Sequence, residues 1–368
     1  MKKVLENKLI RATAFFCLIS ITMTQCKKEQ GIAAGPGNPA KSGYQQVNLV
    51  SDISIGGSGA VDGKLVNPWG IAIGPTGAIW ISDNHSGVTT IYDNNGNTLL
   101  APVSIPFNGQ AAGGAPTGVV FNPNSVKNFV APGPVRKMSL FIYATENGTV
   151  SVWNGADSTC KVADHSSANA VYKGIALCND GGNAFLYLPD FRNGKIDVLD
   201  TAFNYVNKPF SDPNLPAGYA PFNIKAIGGK LYVAYAKQKA PDNMDDEAGD
   251  GHGYVDIFNP DGTFVKRFAS EGTLNSPWGI AQVPAGFGIP EGSILIGNFG
   301  DGRINIYDAT GNFQGQLMNG ANPVAIDGLW EITFEDAAIR GSNPKALFFT
   351  AGPGDEAHGI FGYLTNQF

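Results

Sequence analysis

Charged residues are scarce in this sequence, at 15% of 368 residues, whereas about a quarter is usual in a soluble domain. Acidic residues outnumber basic ones, 31 to 25, which argues against a broad surface for nucleic acid or anionic lipid. Strong helix-forming segments are also lacking, and glycine and proline together make up about a fifth of the chain. This composition is typical of an ordered, turn-rich protein with little helix.

The motifs of several enzyme classes are missing as well. The sequence contains no Gly-x-Ser-x-Gly elbow, no Walker loop, no Cys-x-x-Cys and no His-Glu-x-x-His. These motifs carry the nucleophile, phosphate cradle, redox pair or metal ligands of their classes. The sequence therefore does not support a serine hydrolase, a nucleotidase, a thiol oxidoreductase or a zincin.

The first 25 residues have the pattern of a signal peptide, in which basic residues precede a short apolar segment at 12–23. Cys26 follows at once, and the end of the leader resembles a bacterial lipoprotein signal, where such a cysteine is lipidated; an ordinary secretory leader is the alternative. Residues 27–43 are small and polar, like a flexible tether. We therefore expect an exported protein with one folded domain over 44–368. A lipid on Cys26 would hold it at a periplasmic or cell-surface membrane; otherwise it is secreted.

A repeat of about 50 residues dominates the rest of the chain. Each copy begins with a turn, a marker residue that is usually glycine, and an apolar alternation; two β-rich runs separated by a polar break follow. Successive markers are 48, 56, 49, 56 and 52 residues apart, at Gly70, Gly118, Gly174, Asn223, Gly279 and Glu331. Six copies of four short strands predict an all-β, six-bladed β-propeller with four-stranded blades.

The marker glycine and the N-terminal run fit this prediction. The innermost strands of a propeller crowd around the axis, where glycine lets neighbouring backbones approach. The sixth copy supplies only three strands. Residues 45–50 precede the first copy and are free to act as the fourth strand of the sixth copy. This pairing would close the ring and remove an exposed edge.

A set of phrases in fixed order resembles a known family. They are NPWGIAI (67–73), DFRNGKIDV (190–198), DPNLPAGYAPFNI (212–224), KLYVAYAKQ (230–238), SPWGIA (276–281), GNFGDGRIN (297–305), DGLW (327–330) and FTAGPGDEAHGIFG (349–362). The sequence is similar in these phrases to a functionally uncharacterised family of exported bacterial propeller proteins related to NHL repeats. The resemblance covers about residues 44–364. It implies the six-bladed fold and no activity.

Four oxygen-bearing residues end the second strands of their copies. Strands A to D of a blade alternate in direction, so the B–C and D–A loops share one face, which is usually the ligand face. Asp83, Glu146, Asp190 and Asn298 would lie there. Such oxygens could hold Ca²⁺, as in metal-dependent lactonase-like hydrolases, or they could cap strand ends and bind loop amides.

Further candidates fall on the same face. An acidic insertion contains Asp242, Asp245 and Asp246, which predicts either a Ca²⁺ loop or a solvated loop. His85 and His358 lie in neighbouring copies, where a loop-bonding role competes with ligand binding.

Aromatic and arginine side chains complete the candidate ligand site. The aromatic residues are Trp69, Tyr219, Phe222, Trp278 and Trp330, which predict a stacking platform or packing between blades. Arg192 and Arg303 occupy matching B–C positions and could bind an anionic group or pair with acids.

Cys160 and Cys178 remain once the leader and Cys26 are set aside. In an oxidising compartment, an even pair predicts a disulfide, which here would close a 19-residue loop on the face opposite the ligand face. Two buried free thiols are the alternative.

Three functions remain open from the sequence. The first is a binding protein for an unknown small molecule, glycan or protein on the B–C and D–A loop face. The second is a calcium-type, lactonase-like hydrolase. The third is a purely structural surface module. None of them involves nucleic acid, and membrane contact is expected only through the lipid anchor.

Overall fold

The computed structural model describes residues 43–366, except 56, 58, 108, 125–126, 132–137 and 157. The predicted signal peptide, the lipidation site Cys26 and almost all of the tether lie outside these residues. Strands are almost the only regular secondary structure of the described chain, which has one 3₁₀ helix at Ser166–Ala168. None of its helices is long and apolar enough to cross a membrane.

Six sheets form the blades of the predicted β-propeller, which is confirmed. Strands are lettered A to D outward from the axis, and neighbouring strands in a blade are antiparallel. Blade 1 has Pro68–Ile73, Ile79–Asp83, Val88–Tyr92 and Thr98–Ser104, and blade 2 has Pro116–Phe121, Phe141–Thr145, Thr149–Trp153 and Cys160–Asp164. Blade 3 has Ala176–Asp180, Asn183–Asp190 and Lys195–Leu199, and blade 4 has Tyr219–Ile227, Lys230–Lys237, Gly253–Phe258 and Phe264–Ser270. Blade 5 has Pro277–Gln282, Ile294–Asn298, Ile304–Tyr307 and Phe313–Gln316, and blade 6 has Leu329–Phe334, Leu347–Ala351, Ile360–Asn366 and Tyr44–Ser51.

Two blades depart from a simple four-strand succession. In blade 3, the outer position is held by a single bridge between Leu199 and Tyr205 in place of a fourth strand. In blade 6, the outer strand comes from the start of the domain: Tyr44–Ser51 pairs antiparallel with Ile360–Asn366. The first and last strands of the propeller are therefore hydrogen bonded in one sheet.

Short pairs of strands lie outside the main blade pattern. Ala60–Val61 pairs in parallel with the outer strand of blade 6. Two small hairpins form between blades, Pro106–Phe107 with Gln110–Gly113 and Met318–Asn319 with Asn322–Pro323. These elements belong to the loops and do not change the count of six blades.

The marker glycines lie where neighbouring A strands almost touch. A Cβ atom on Gly118 would stand 2.6 Å from the backbone nitrogen of Ile175, and one on Gly70 would stand 2.8 Å from the carbonyl oxygen of Thr117. Real Cβ atoms do not approach backbone this closely. The physical reason inferred from the sequence for the repeated glycine is therefore confirmed.

The predicted disulfide is wrong, because both cysteines are free thiols. Cys160 is exposed at the start of the outer strand of blade 2. Cys178 is buried with Val198 and Ile224 in the core between blades 3 and 4, on the far side of its strand from blade 2. Sequence position placed the two residues in adjacent blades, but the pleat directs the Cys178 side chain away from Cys160.

Candidate functional site

One side chain from each blade fills the axis at the B–C end of the propeller. Each stands directly before a marker residue, at the start of strand A or just ahead of it, and each is buried. They are Trp69, Thr117, Lys173, Phe222, Trp278 and Trp330. The six strands deliver them to one level because the repeat places the same register position of every blade nearest the axis.

The aromatic members of this set form what we call the aromatic plug: Trp69, Phe222, Trp278 and Trp330. The rings of Trp69 and Trp330 stack with centroids 3.5 Å apart, and Trp278 meets both edge-on at 6.0 and 5.6 Å. Trp330 also lies 6.0 Å from Phe222. Contacts between blades 1 and 5 thus run across the ring, and the plug closes the axis at this level.

Hydrogen bonds fix two of the indole rings. Trp330 donates from Nε1 to Oδ1 of Asn67 at 2.9 Å, and Trp278 donates from Nε1 to the carbonyl oxygen of Lys173 at 2.9 Å. These rings are anchored core groups. The sequence left two aromatic roles open, and the rings of the plug have the packing role. Tyr219 lies apart from the plug, edge-on to Tyr254 at 4.7 Å, and is partly exposed.

A charged layer, the charged mouth, lies beside the plug and consists of Glu146, Lys173, Asp245 and Glu356. Lys173 Nζ is 2.5 Å from Glu146 Oε1, 3.4 Å from Asp245 Oδ1 and 5.2 Å from the centre of the Trp69 ring. The Lys173 side chain is only 3% exposed, whereas that of Asp245 is 72% exposed. The base is therefore enclosed and the acids around it reach solvent.

Burial and charge act in opposite directions on the buried ion pair of the mouth. Burial disfavours both charges, but the mutual attraction of the pair outweighs it. The pKa of Lys173 is raised and the pKa of Glu146 is lowered. Asn84 donates to the second oxygen of Glu146 at 2.9 Å, so the carboxylate is held on both sides.

Glu356 enters the mouth from blade 6. Asn67 donates to its Oε2 at 2.5 Å, and the same Asn67 accepts the hydrogen bond of Trp330. Burial raises the pKa of Glu356, and the charge of Glu146 adds to this shift. Asn67 thus links the mouth directly to the plug.

The four oxygen-bearing residues at the ends of the B strands do not converge on one site. Of the four, Glu146 belongs to the charged mouth. Asp83 accepts the backbone N–H of Thr90 at 2.8 Å, and burial raises its pKa. Asp190 accepts the N–H of Val171 at 3.0 Å, and burial raises its pKa too.

Asn298 also turns to its local loops, donating to the carbonyl oxygen of Thr273 at 2.8 Å. Asp83, Asp190 and Asn298 therefore bind loop groups, which is the capping role that the sequence left open. Among the residues that the structure describes, no group of three or more His, Cys, Asp or Glu is arranged to hold a metal ion. The carboxylate cluster that a lactonase-like hydrolase needs is not formed by this set.

The acidic insertion folds toward the mouth through Asp245, one of the three aspartates predicted there as ligands. Asp245 pairs with Lys173, and burial raises the pKa of Asp246. Asp242 is exposed. A calcium ion in this loop stays a prediction from the sequence.

The predicted histidines and arginines are dispersed over the face. His358 Nδ1 lies 3.0 Å from Asp52 Oδ2, and His85 is exposed in its B–C loop. Arg303 Nε lies 3.9 Å from Asp301, and Arg192 is partly exposed in blade 3. These residues do not form a joint site.

Sequence reasoning missed Lys173, Asn67, Asn84 and Glu356. Lys173 left a readable signal, because it is the one basic residue at a repeat position that is aromatic in four other copies. The two asparagines and Glu356 left none, since they lie in loops whose lengths differ between copies.

A second site, the axial cavity, occupies the opposite end of the channel. It has a volume of about 440 Å³ and is lined by A strands of all six blades. Its lining is mixed: Ile71, Val119 and Ile224 are among its apolar residues, and its buried polar residues include Asn223 and Glu331. Trp278 belongs both to this lining and to the plug.

Glu331 is the charged residue at the inner part of this cavity. Its side chain is 6% exposed, and its Oε2 lies 3.4 Å from Lys225 Nζ. Burial raises the pKa of Glu331, although Lys225 acts against this shift. Glu331 stands at a repeat-marker position that is usually glycine, and an acid at this position was the signal available in the sequence.

Comparison with known proteins identifies relatives by sequence. No family model matches the chain. The chain is 37% identical over 316 residues to uncharacterized protein R648 of Acanthamoeba polyphaga mimivirus, which covers 82% of this chain and 76% of the viral protein. Two further relatives are uncharacterized proteins of the same virus. Because these relatives are viral, they do not support the bacterial and exported character that the resemblance implied.

Comparison of structures supports the fold. A streptogramin B lyase structure matches with a TM-score of 0.51 at 13% identity, covering 89% of this chain and all of that chain. The soluble aldose sugar dehydrogenase of Escherichia coli matches with a TM-score of 0.52 at 14% identity, covering 88% of this chain and 99% of that chain. Neighbours that are a lyase and a dehydrogenase show the propeller architecture alone, because one fold carries many activities.

Proposed function

The chain belongs to the same family as mimivirus protein R648, and we propose that it is a binding module whose B–C loop face docks a positively charged partner. The observation that carries this proposal is the closed axis. The aromatic plug lies directly beneath this face, so a ligand cannot enter the channel from here and must bind to the surface that the loops present.

The charge of the two faces supports a cationic partner. The B–C loops (84–87, 146–148, 191–194, 238–252, 299–303 and 352–359) contain nine acidic and three basic residues. Among the described residues, the A–B turns (74–78, 122–124, 127–131, 138–140, 181–182, 228–229, 283–293 and 335–346) contain three acidic and three basic residues. An excess of one charge on a surface raises the local concentration of partners with the opposite charge.

A protein or peptide fits this face better than a small molecule. Small-molecule sites are concave and bury most of the ligand. Here the base of the mouth, Lys173, is buried and paired, while Asp245 is exposed at its edge and Asp242 is exposed in the same loop. Exposed carboxylates on a shallow surface suit the lysine or arginine side chains of a polypeptide.

A decalysine peptide tests the proposal, with decaglutamate as the matched control probe. We expect the full-length protein to bind decalysine and not decaglutamate in biolayer interferometry, with binding that weakens as salt is raised. Asp242→Asn/Asp250→Asn should weaken binding about fivefold, since each exposed charge contributes up to about 0.5 kcal/mol. Glu291→Gln/Asp336→Asn removes two acids from the A–B turns and should leave binding unchanged. Equal effects of both double variants, or no decalysine binding, would reject the proposal.

We also propose that the module is exported and anchored by a lipid on Cys26. The leader pattern before this cysteine and the polar tether after it support the anchor. Expression with a labelled fatty acid in a bacterial host checks this: the wild-type protein should carry the label and Cys26→Ser should not. Label on both proteins, or on neither, would contradict the anchor while leaving the charged face to its own test.

A further inference from the structure

The axial cavity is distinct from the B–C face, because the aromatic plug separates the two. We propose that this cavity binds a small organic ammonium ion with an apolar body, whose charged nitrogen replaces the Lys225 ammonium beside Glu331. The inference rests on the geometry of this buried ion pair and on the shape and lining of the cavity, and it is independent of the docking proposal.

The acid of the pair is held in place. Glu331 lies in strand A of blade 6, and its Oε1 accepts the backbone N–H of Ile332 at 3.2 Å. Its own N–H donates to Thr350 Oγ1 at 3.2 Å. With a side chain only 6% exposed, Glu331 is an acid held in place in the inner part of the cavity. A cation beside it stabilises its ionised form, which burial alone disfavours.

The base of the pair is not fixed in the same way. Lys225 is 29% exposed, and its Nζ lies 3.4 Å from Glu331, beyond the usual length of a strong charged hydrogen bond. Its flexible four-carbon stem can release the ammonium into water at little cost. An incoming ammonium ion can therefore take over the contact with Glu331 while Lys225 becomes solvated.

A carboxylate ligand does not have this option. To pair with Lys225 inside the cavity, it would have to leave Glu331 buried without a cation or bring a second negative charge beside it. Either outcome costs more than the displacement of a solvated lysine. The exposed Asp336 at the outer part of the lining adds to the preference for cations.

The remaining lining and the volume of the cavity determine the size and polarity of the ligand. A volume of about 440 Å³ is within the range of small-molecule sites. Ile71, Val119 and Ile224 are apolar residues of the lining, and Trp278 belongs to it as well. The cavity thus suits a primary amine with a short alkyl or aryl body.

Benzylamine and n-butylamine are the probes, with benzoate and butyrate as matched anions. Titration of the full-length protein at neutral pH should show saturable binding of the amines by calorimetry and a rise in melting temperature, because the probes bind only the folded state. The anions should have neither effect. Glu331→Gln should weaken amine binding about tenfold, since it removes one charge-assisted contact.

Lys225→Met supplies the decisive comparison. This variant lacks the internal competitor, so amines should bind it more tightly than the wild type and restore the melting temperature lost by the substitution. Lys230→Met, an exposed lysine bonded to Asn259 outside the cavity, is the control and should behave like the wild type. The proposal is overturned if Lys225→Met responds to amines no more than Lys230→Met does, or if benzoate matches benzylamine. Wild-type titration decides the matter even if Glu331→Gln fails to fold.

Discussion

The two ends of the channel contain ion pairs with opposite arrangements. At the B–C end the base, Lys173, is buried and its acids reach solvent; at the other end the acid, Glu331, is buried and its base, Lys225, reaches solvent. The first pair is tight, at 2.5 Å, and lies beside a closed aromatic plug. The second is looser, at 3.4 Å, and faces an open cavity. A tight ion pair therefore lies at the closed end of the channel and a looser one at the open end.

The difference comes from adjacent positions of the same strands. Trp330 belongs to the plug and the next residue, Glu331, lines the cavity. Likewise Phe222 belongs to the plug and the next residue, Asn223, lines the cavity. Because strand A runs along the channel and rises about 3.3 Å per residue, adjacent positions near its start lie at successive levels, and one repeat phrase supplies residues to both sites.

Removal of the plug should have the largest effect on this contrast. Trp330→Ala deletes a buried ring that packs on Trp69, Trp278 and Phe222, and we expect a loss of about 3–5 kcal/mol in the free energy of unfolding. Urea unfolding measures it. Phe313→Ala, at a ring that is 48% exposed, is the control and should cost less than about 1 kcal/mol. Similar losses in both variants would show that the plug does not stabilise the axis.

The next largest effect should come from the marker glycines, which lie where neighbouring A strands almost touch. Gly118→Ala would force a Cβ to within 2.6 Å of backbone, so we expect a loss of up to about 3 kcal/mol in the same assay. Gly63→Ala is the matched control, because a Cβ there meets nothing within 4 Å. If Gly118→Ala is as stable as the wild type, the blades can move apart to admit a Cβ atom, and the close contact of the A strands does not constrain the channel.

The ion pair of the mouth should follow. Lys173→Met leaves Glu146 without its cation, and we expect a loss of about 3 kcal/mol in the free energy of unfolding. This is the low end of the cost of breaking a buried ion pair, because the Glu146 carboxylate is partly solvated. Lys173→Met/Glu146→Gln should recover much of this loss. Because the pKa of Glu146 is lowered in the folded state, its contribution is present above its ordinary pKa of 4.5 and is lost as the pH falls through the folded value. A deficit of Lys173→Met that persists undiminished in acid would contradict the pairing.

The smallest effect should come from Glu331, and it has the opposite pH dependence. Burial raises the pKa of this carboxyl, so the folded protein holds the proton more tightly than the unfolded chain. The free energy of unfolding of the wild type should therefore fall as the pH rises above the ordinary pKa of 4.5. Glu331→Gln does not titrate, so its stability relative to the wild type should increase over that range. Urea midpoints at several pH values measure the difference. A constant difference would show that Glu331 titrates as a solvated group does.

The fold was predictable from the sequence because it rests on periodicity. Gly70 and its counterparts recur at nearly equal spacing, and each is followed by alternating apolar runs, which specify blades without knowledge of any contact. The site was predictable only in part. The columns of the repeat identified Trp69, Trp278 and Trp330, but whether they formed a platform or a core depended on ring-to-ring distances across the axis.

Loop residues mark the limit of such prediction. Asp83, Asp190 and Asn298 share a position at the ends of B strands, yet each binds groups in its own loops. Asn67 and Glu356 are 289 residues apart and meet in the mouth. The disulfide failed for the same reason, since adjacency of blades does not fix the direction of the Cys178 side chain.

The sequence by itself determined the number of blades, the order of strands and the positions where glycine must stand, because these follow from local patterns that repeat. Only the tertiary structure decided which end of the channel is closed, which charges are buried and which carboxylates meet a base. Those outcomes depend on side chains from different blades that converge on one axis, and no spacing along the chain encodes the distances between them.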